Sequence, residues 1–240
     1  MMQPYFFPYL GYFALIADTD QWVVFDTAQY IRRGWVHRNR ILSGGQAHWK
    51  YLRLPVRKAP QTAKICHMKL TNPEELPSSI ARQLDEYRCW RPPFYEETMK
   101  LLDDCMYDAS DDLTTLLVSC LQKTCAHLQI EFRPVLFSDL AMPQPACPHP
   151  GDWALTTACH LNAQEYVNPP GGRDLFNPVA FDQAGIRLSI LEHRLPAYFQ
   201  GQSKFTAGLS VIDALMWTGR DATRQFIDDY QLSEVRRPAA

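Results

Sequence analysis

The chain has 240 residues, 46% of them hydrophobic, enough for one large domain with a core of its own. Its net charge of −2 marks no nucleic-acid or acidic-surface partner. Without a membrane-length apolar run, a basic leader or paired spacing among its seven cysteines, it reads as a reduced, cytoplasmic protein with no membrane insertion.

The chain opens Met1-Met2-Gln3-Pro4-Tyr5-Phe6-Phe7-Pro8-Tyr9-Leu10-Gly11-Tyr12-Phe13, with two prolines, a glycine and six aromatics. Pro4 and Pro8 fix φ and keep the residues before them out of helix. Gly11 leaves room for close approach by backbone or ligand. Leu10, Phe13, Ala14 and Ile16 have helical spacing, and Asp18 and Asp20 end the run. A rigid aromatic loop feeding a helix N-terminus offers free N–H groups to an anion. The alternative is an aromatic lid on the core.

Trp22-Val23-Val24-Phe25 follows as a strand ending at Asp26, and residues 26–40 read as a polar loop. After the turn at Gly44-Gly45, residues 48–56 alternate as a strand, with Pro55 marking an edge. Helices then take over. One spans 73–87 with Ile80, Leu84 and Tyr87 inward, and one starts near Pro93. A third is capped by Ser110, with Leu113, Leu116, Leu117 and Leu121 behind it. Val135-Leu136-Phe137 is a strand, and the proline-rich loop 142–151 is the best candidate break. A helix at 153–161, the strand Glu165-Tyr166-Val167 and the turn Asn168-Pro169-Pro170-Gly171-Gly172 come next. A helix through Phe181, a strand at 186–191 and helices over 210–230 finish the chain. This alternation predicts an α/β fold with a mainly parallel sheet flanked by helices. It forms a single domain, 1–240, carrying a helical insert at 73–130.

Loop 26–40 is the densest polar stretch, with Arg32, Arg33, Arg38 and Arg40 interleaved with Trp35, His37 and Asn39. Guanidinium forks pair bidentately with phosphate or carboxylate, and ligands of α/β sheets bind beyond strand carboxyl ends. The expected ligand is a small anionic molecule such as a nucleotide-sugar; the bland reading is a solvated basic loop. Arg33 and Arg38 would clamp the anion while Trp35 or Tyr30 stacks on base or sugar. Gln3, Tyr9, Gly11 and Tyr12 would line the facing wall, with Gln29, Asn39 and Tyr166 among the substrate-binding residues. Asp26 is the candidate catalytic residue, as a general base or orienting carboxylate; its other role is to cap the loop.

Other polar residues carry less. Asp213 either reaches inward or sits in a helix's first turn. Cys159 and His160 read as a buried neutral pair, and Cys105, Cys120 and Cys125 as small core residues. Cys66-His67 is a single adjacency, and Cys147-Pro148-His149 lacks the second pair that zinc requires. Walker-A, G-x-G-x-x-G, G-x-S-x-G and H-E-x-x-H motifs are absent from the sequence. No metal and no cofactor is expected.

The segments Q-P-Y-F-F-P-Y-L-G-Y-F and D-T-A-Q-Y-I-R-R-G-W-V-H-R-N-R-I resemble the WbqC-like family of bacterial proteins. The likeness continues through Leu54-Pro55-Val56, residues 87–95, Glu165-Tyr166-Val167 and Gly171-Gly172. It ends at Tyr198, Gln200, Phe205 and Leu209-Ser210-Val211-Ile212-Asp213-Ala214-Leu215. The resemblance implies a role in O-antigen or other surface-polysaccharide synthesis. It points to a transferase adding a glycine-type group, acting on an activated nucleotide-sugar. The alternative is a non-catalytic binder of nucleotide-sugar or polysaccharide precursor. Members usually begin with an apolar strand before the Gln-Pro motif, so the first strand here reads as truncated, through a misplaced start or a trimmed chain. Many members carry asparagine where His37 stands, which puts an orienting role there in doubt. The opening is also similar to nucleotidylyltransferases with an H-x-G-H motif, whose place Tyr9-Leu10-Gly11-Tyr12 takes. Tyrosine is no cation near neutral pH, which weakens nucleotidyl transfer by those means. All of these readings need the proline-aromatic opening and the arginine segment to share one cleft.

Overall fold

The computed structural model describes residues 1–45, 48–107, 109–142, 149–202 and 204–235. The opening segment leads into α1 (Leu10–Asp18), whose residues 10–16 are all buried. β1 (Trp22–Val24) pairs in parallel with β4 (Pro134–Leu136), and Met2 makes an isolated parallel bridge to Val24. β2 (Arg38–Leu42) and β3 (Trp49–Arg53) form an antiparallel hairpin. β5 (Glu165–Asn168) runs parallel to β6 (Arg187–His193), which is antiparallel to β7 (Tyr230–Glu234).

The described residues therefore form three small sheets of mixed direction in place of one mainly parallel sheet. Two antiparallel strands account for much of the difference. β2 puts the polar Asn39 at an inward position beside Ile41, which breaks the apolar alternation expected of a half-buried strand. β7 is an almost wholly exposed edge strand, held by its ladder to β6; it is short, and its alternating Leu232 stays exposed instead of packing on the core.

Four helices fill the middle of the chain: α2 (Leu76–Gln83), α3 (Asp85–Trp90), α4 (Tyr95–Met106) and α5 (Leu113–His127). The helix expected over 73–87 breaks at Leu84 into α2 and α3, yet Ile80, Leu84 and Tyr87 all face inward. The cap of α5 is Asp112, which accepts from Thr115 N at 2.8 Å; Ser110 lies two residues further out, accepting from Asp112 N. His149 caps α6 (Pro150–His160) in a reciprocal box with Asp152. Within the proline-rich loop, residues 143–148, including Cys147, lie outside the described residues. α6 turns Ala154, Thr157 and Ala158 inward, so Cys159 and His160 are exposed and form no buried pair.

α7 (Pro178–Gln183) and α8 (Val211–Ile227) complete the helices. α8 kinks at Gly219, where φ is 75° and a Cβ would stand 2.6 Å from the Phe94 ring. The larger core joins α1, α2, α4, α5, α8 and the β2–β3 hairpin, and it holds Cys105, Cys120 and Cys125. A smaller core of Ala154, Ala158, Tyr166, Phe181, Ile186 and Leu188 lies between α6, α7, β5 and β6. No helix among the described residues is long and apolar enough to cross a membrane.

Candidate functional site

The opening segment and the arginine segment meet through their backbones. Phe6 N donates to Val36 O at 3.0 Å, and Asn39 Nδ2 donates to Phe6 O at 3.3 Å. Ser210 Oγ donates to Phe7 O at 2.7 Å, and Val211 N to Pro8 O at 2.9 Å. Phe7 has φ 39°, a left-handed conformation that a bulky residue keeps only when its surroundings impose it. Arg40 completes the junction, donating to Gly208 O at 2.9 Å and accepting from Ser210 N at its own carbonyl.

This junction is packed. Tyr12 is buried with its hydroxyl donating to Gln3 O at 2.8 Å, and the Asn39 carbonyl oxygen accepts from Arg40 N. Gly11 is pressed against Tyr9 and His193: a Cβ there would meet the Tyr9 ring at 2.6 Å. Gln3 and Tyr9 are half-buried beside it. Asp26 is also buried, its carboxylate accepting from Ser138 N at 3.0 Å and its carbonyl from Cys66 N at 2.8 Å. Its carboxylate thus ties the end of β1 to the turn after β4. Tyr166 sits in the smaller core, accepting from Asn168 Nδ2 at its hydroxyl and packing on Phe176 and Phe181.

Open space lies on the far side of the arginine loop. A cleft of about 700 Å³ runs between residues 29–37 and 54–61. Tyr30 N donating to Ala63 O at 2.8 Å and Gln29 Nε2 to Gln61 O at 2.7 Å tie its two walls together. Arg32, Arg33, Arg57 and Lys58 line it, and no carboxylate does among the described residues. Arg57 is anchored on Leu70 O at 2.8 Å and beside Asp111. Arg32, Arg33 and Lys58 are exposed and join no ion pair among the described residues. Gln29, Tyr30 and Arg33 of the expected site thus share this cleft, whereas Gln3, Tyr9, Gly11, Tyr12, Asp26, Asn39 and Tyr166 do not line it. The expectation of one cleft shared by the opening and the arginine segment is therefore corrected: their junction is filled by buried side chains and backbone bonds, and only the arginine loop faces the open space. Arg57 and Lys58 were not expected; their one local signal is a basic pair after Val56.

On the cleft wall, Tyr30 Oη lies 2.8 Å from His37 Nδ1. Burial, reinforced by Arg38 and Arg53, lowers the His37 pKa to about 4, so the ring is neutral at physiological pH. Burial pushes the Tyr30 phenol up to about 12, although Arg32 and Arg38 pull the other way. Trp35 and Arg38 sit on the outward face of the hairpin next door. Arg38 stacks over Tyr51 at 4.0 Å, donates from Nε to Gly34 O at 3.0 Å and also donates to Arg33 O. It shapes the loop that carries Arg33.

Asp213, in the first turn of α8, turns inward and is fully buried. Its carboxylate accepts from Tyr87 Oη, from Tyr198 Oη at 2.6 Å and from Gln200 Nε2 at 2.8 Å. Tyr87 Oη in turn accepts from Leu42 N at 2.8 Å. One carboxylate therefore connects β2, α3, the segment before α8 and α8 itself. Burial raises its pKa to about 6, against the pull of its three donors. No cluster of three His, Cys, Asp or Glu suited to a metal ion occurs among the described residues.

Residues 3–225 match the WbqC-like protein family. The chain is 26% identical over 234 residues to the uncharacterized protein Rv1507c of Mycobacterium tuberculosis, covering 92% of this chain and 94% of that one. No solved structure matches it.

Proposed function

The chain belongs to the WbqC-like protein family, and on that footing we propose that it is a transferase of bacterial surface-polysaccharide (O-antigen) synthesis, binding an activated nucleotide-sugar in the cationic cleft. One observation carries this reading. In a chain of net charge −2, four cations and, among the described residues, no carboxylate line a cleft of about 700 Å³. Small-molecule sites occupy roughly 300–1,000 Å³, so the space suits a ligand of that class. A diphosphate brings the negative charge this lining lacks, with pairs of oxygens that a planar guanidinium fork can engage bidentately. The Tyr30 ring offers a stacking face, and the neutral His37 imidazole offers a lone pair or an N–H to the reacting group. The transferred unit we infer is small, of the glycine type.

A nucleotidylyltransferase-like ancestry also fits the order of proline loop, Gly11 and α1. Tyr12, at one of the histidine positions of that motif, uses its hydroxyl on Gln3 O, which leaves phosphate charge to the arginines. A second reading, a non-catalytic precursor binder, is favoured by the absence of Asp, Glu, Ser, Thr and Cys from the cleft lining among the described residues. Titration calorimetry with UDP-glucose, followed by mass spectrometry of a UDP-sugar incubated with the protein and a glycyl donor, separates the two. Binding with a glycylated product supports the transferase, and binding alone supports the carrier. No binding of any nucleotide-sugar ends both.

A further inference from the structure

The outward face of the β2–β3 hairpin holds a lattice of arginines and aromatic rings with no acidic partner among the described residues. Register sets Arg38 opposite Arg53, Arg40 opposite Tyr51 and Leu42 opposite Trp49, all on one face. Arg38 and Arg53 both approach the Tyr51 ring, at 4.0 and 5.1 Å. Arg40 lies 5.7 Å from the Trp35 ring and 5.6 Å from that of Trp49. Trp35 and Trp49 each set an edge-on contact with Tyr51. Like charges directly opposite each other destabilise a strand pair. The hairpin's own ion pair, Lys50 with Glu86, is on the other face, and Arg38, Arg40 and Arg53 join none among the described residues. Nε of Arg40 is buried without a hydrogen-bond partner. Cation–π contact stabilises each guanidinium locally but leaves the face positively charged.

This face abuts the cleft. His37 and Leu54, the residues flanking the Arg38–Arg53 pair, both line the cleft and are joined by Leu54 N donating to His37 O at 2.8 Å. We propose that the hairpin face is a second binding site, a shelf for an acidic saccharide that lies beside the cleft as the acceptor of the transfer. The apolar face of a pyranose ring stacks on the exposed Trp35, and its carboxylates answer the Arg38–Arg53 pair. The acceptor role rests on reading the cleft as the donor site; the binding of an acidic saccharide does not.

The test uses the full chain with tetragalacturonate as the shelf probe, UDP-glucose as the cleft probe and octathymidylate as a polyanion without pyranose rings. Calorimetry at about pH 8, where His37 is neutral in every variant, on Arg53→Gln and Trp35→Ala, both at exposed positions, is expected to show tetragalacturonate weakened by about fivefold or more, with UDP-glucose affinity kept. Arg33→Ala is expected to give the reverse pattern. Tetragalacturonate binding that is absent, or unmoved by both shelf variants, overturns the proposal. Tighter binding of octathymidylate than of tetragalacturonate overturns it too, in favour of a single-stranded nucleic acid. Loss of UDP-glucose binding alone removes the donor reading while the saccharide shelf stands.

Discussion

The phenol oxygen of Tyr30 stands 2.8 Å from Nδ1 of His37, on the wall of a cleft lined by four cations. Desolvation first, then Arg38 and Arg53, hold the imidazole at about 4, and among the described residues no carboxylate in the lining offsets them. A nucleotide-sugar diphosphate keeps its charge across mildly acidic pH, so its arrival stabilises imidazolium and raises the His37 pKa. The complex then holds more proton than the free protein, and affinity for UDP-glucose increases as pH falls from about 7 towards 5. Each unit by which the pKa climbs sets a ceiling of about tenfold on the gain. In His37→Asn the dependence disappears. A wild-type affinity that does not change with pH would remove His37 from the ligand's surroundings. For the fold itself the sign is opposite. The unfolded histidine takes up a proton near 6.5 and the folded one only near 4, so His37 subtracts stability as pH falls through that window.

Arg33 is exposed and makes no ion pair among the described residues; its backbone carbonyl, not its side chain, receives Arg38. Arg33→Ala therefore deletes charge from the cleft while leaving the loop's internal bonds in place. The expected loss of nucleotide-sugar affinity is about 1.5–3 kcal/mol, the range for a hydrogen bond to a charged group. The melting temperature should stay at the wild-type value. Unchanged affinity by calorimetry would take this arginine out of the site.

Tyr198→Phe isolates one donor of the Asp213 hub. The ring keeps its packing on Phe205 and Phe226, so only the hydroxyl is lost. Removing a donor from the ionised carboxylate lifts its pKa further above about 6. The folded state then binds protons more readily than the unfolded one, and acidification restores stability. Chemical denaturation should show a cost of about 1.5–3 kcal/mol near pH 7 that shrinks towards pH 5. A cost independent of pH would mean that Asp213 is not ionised at neutrality.

Periodicity made several helices legible. Leu113, Leu116, Leu117 and Leu121 form one inward face of α5, and residues 10–16 are buried as a block in α1. It could not find β2, because Asn39 occupies an inward position to hold Phe6 O, a bond made 33 residues away along the chain. The cationic side of the cleft was legible by composition in the arginine loop, yet its partner wall was not. Arg57, Lys58 and Gln61 sit across the cleft from Arg33 with Tyr30 bonded to Ala63 and Gln29 to Gln61, and no local pattern encodes that pairing. Asp213 shows the same limit. Its position suits either a helix dipole or an inward contact, and Tyr87 and Tyr198 decide between them.

Gly11 tests whether the opening segment touches ligand or only packs. A Cβ at that position would lie 2.6 Å from the Tyr9 ring and 3.2 Å from His193 Cβ, with no lining residue of the cleft among its nearest neighbours. The Tyr9 ring can swing aside, but His193 is fixed on β6, where its Nε2 is 2.9 Å from Phe226 O. Gly11→Ala should therefore behave as a small overpacking change, costing about 1–3 kcal/mol of stability. UDP-glucose affinity should remain that of the wild type at temperatures below the shifted melt. The opposite pattern, a normal melt with lost binding, would mean that the close approach Gly11 permits is made by a ligand and not by α1 against β6.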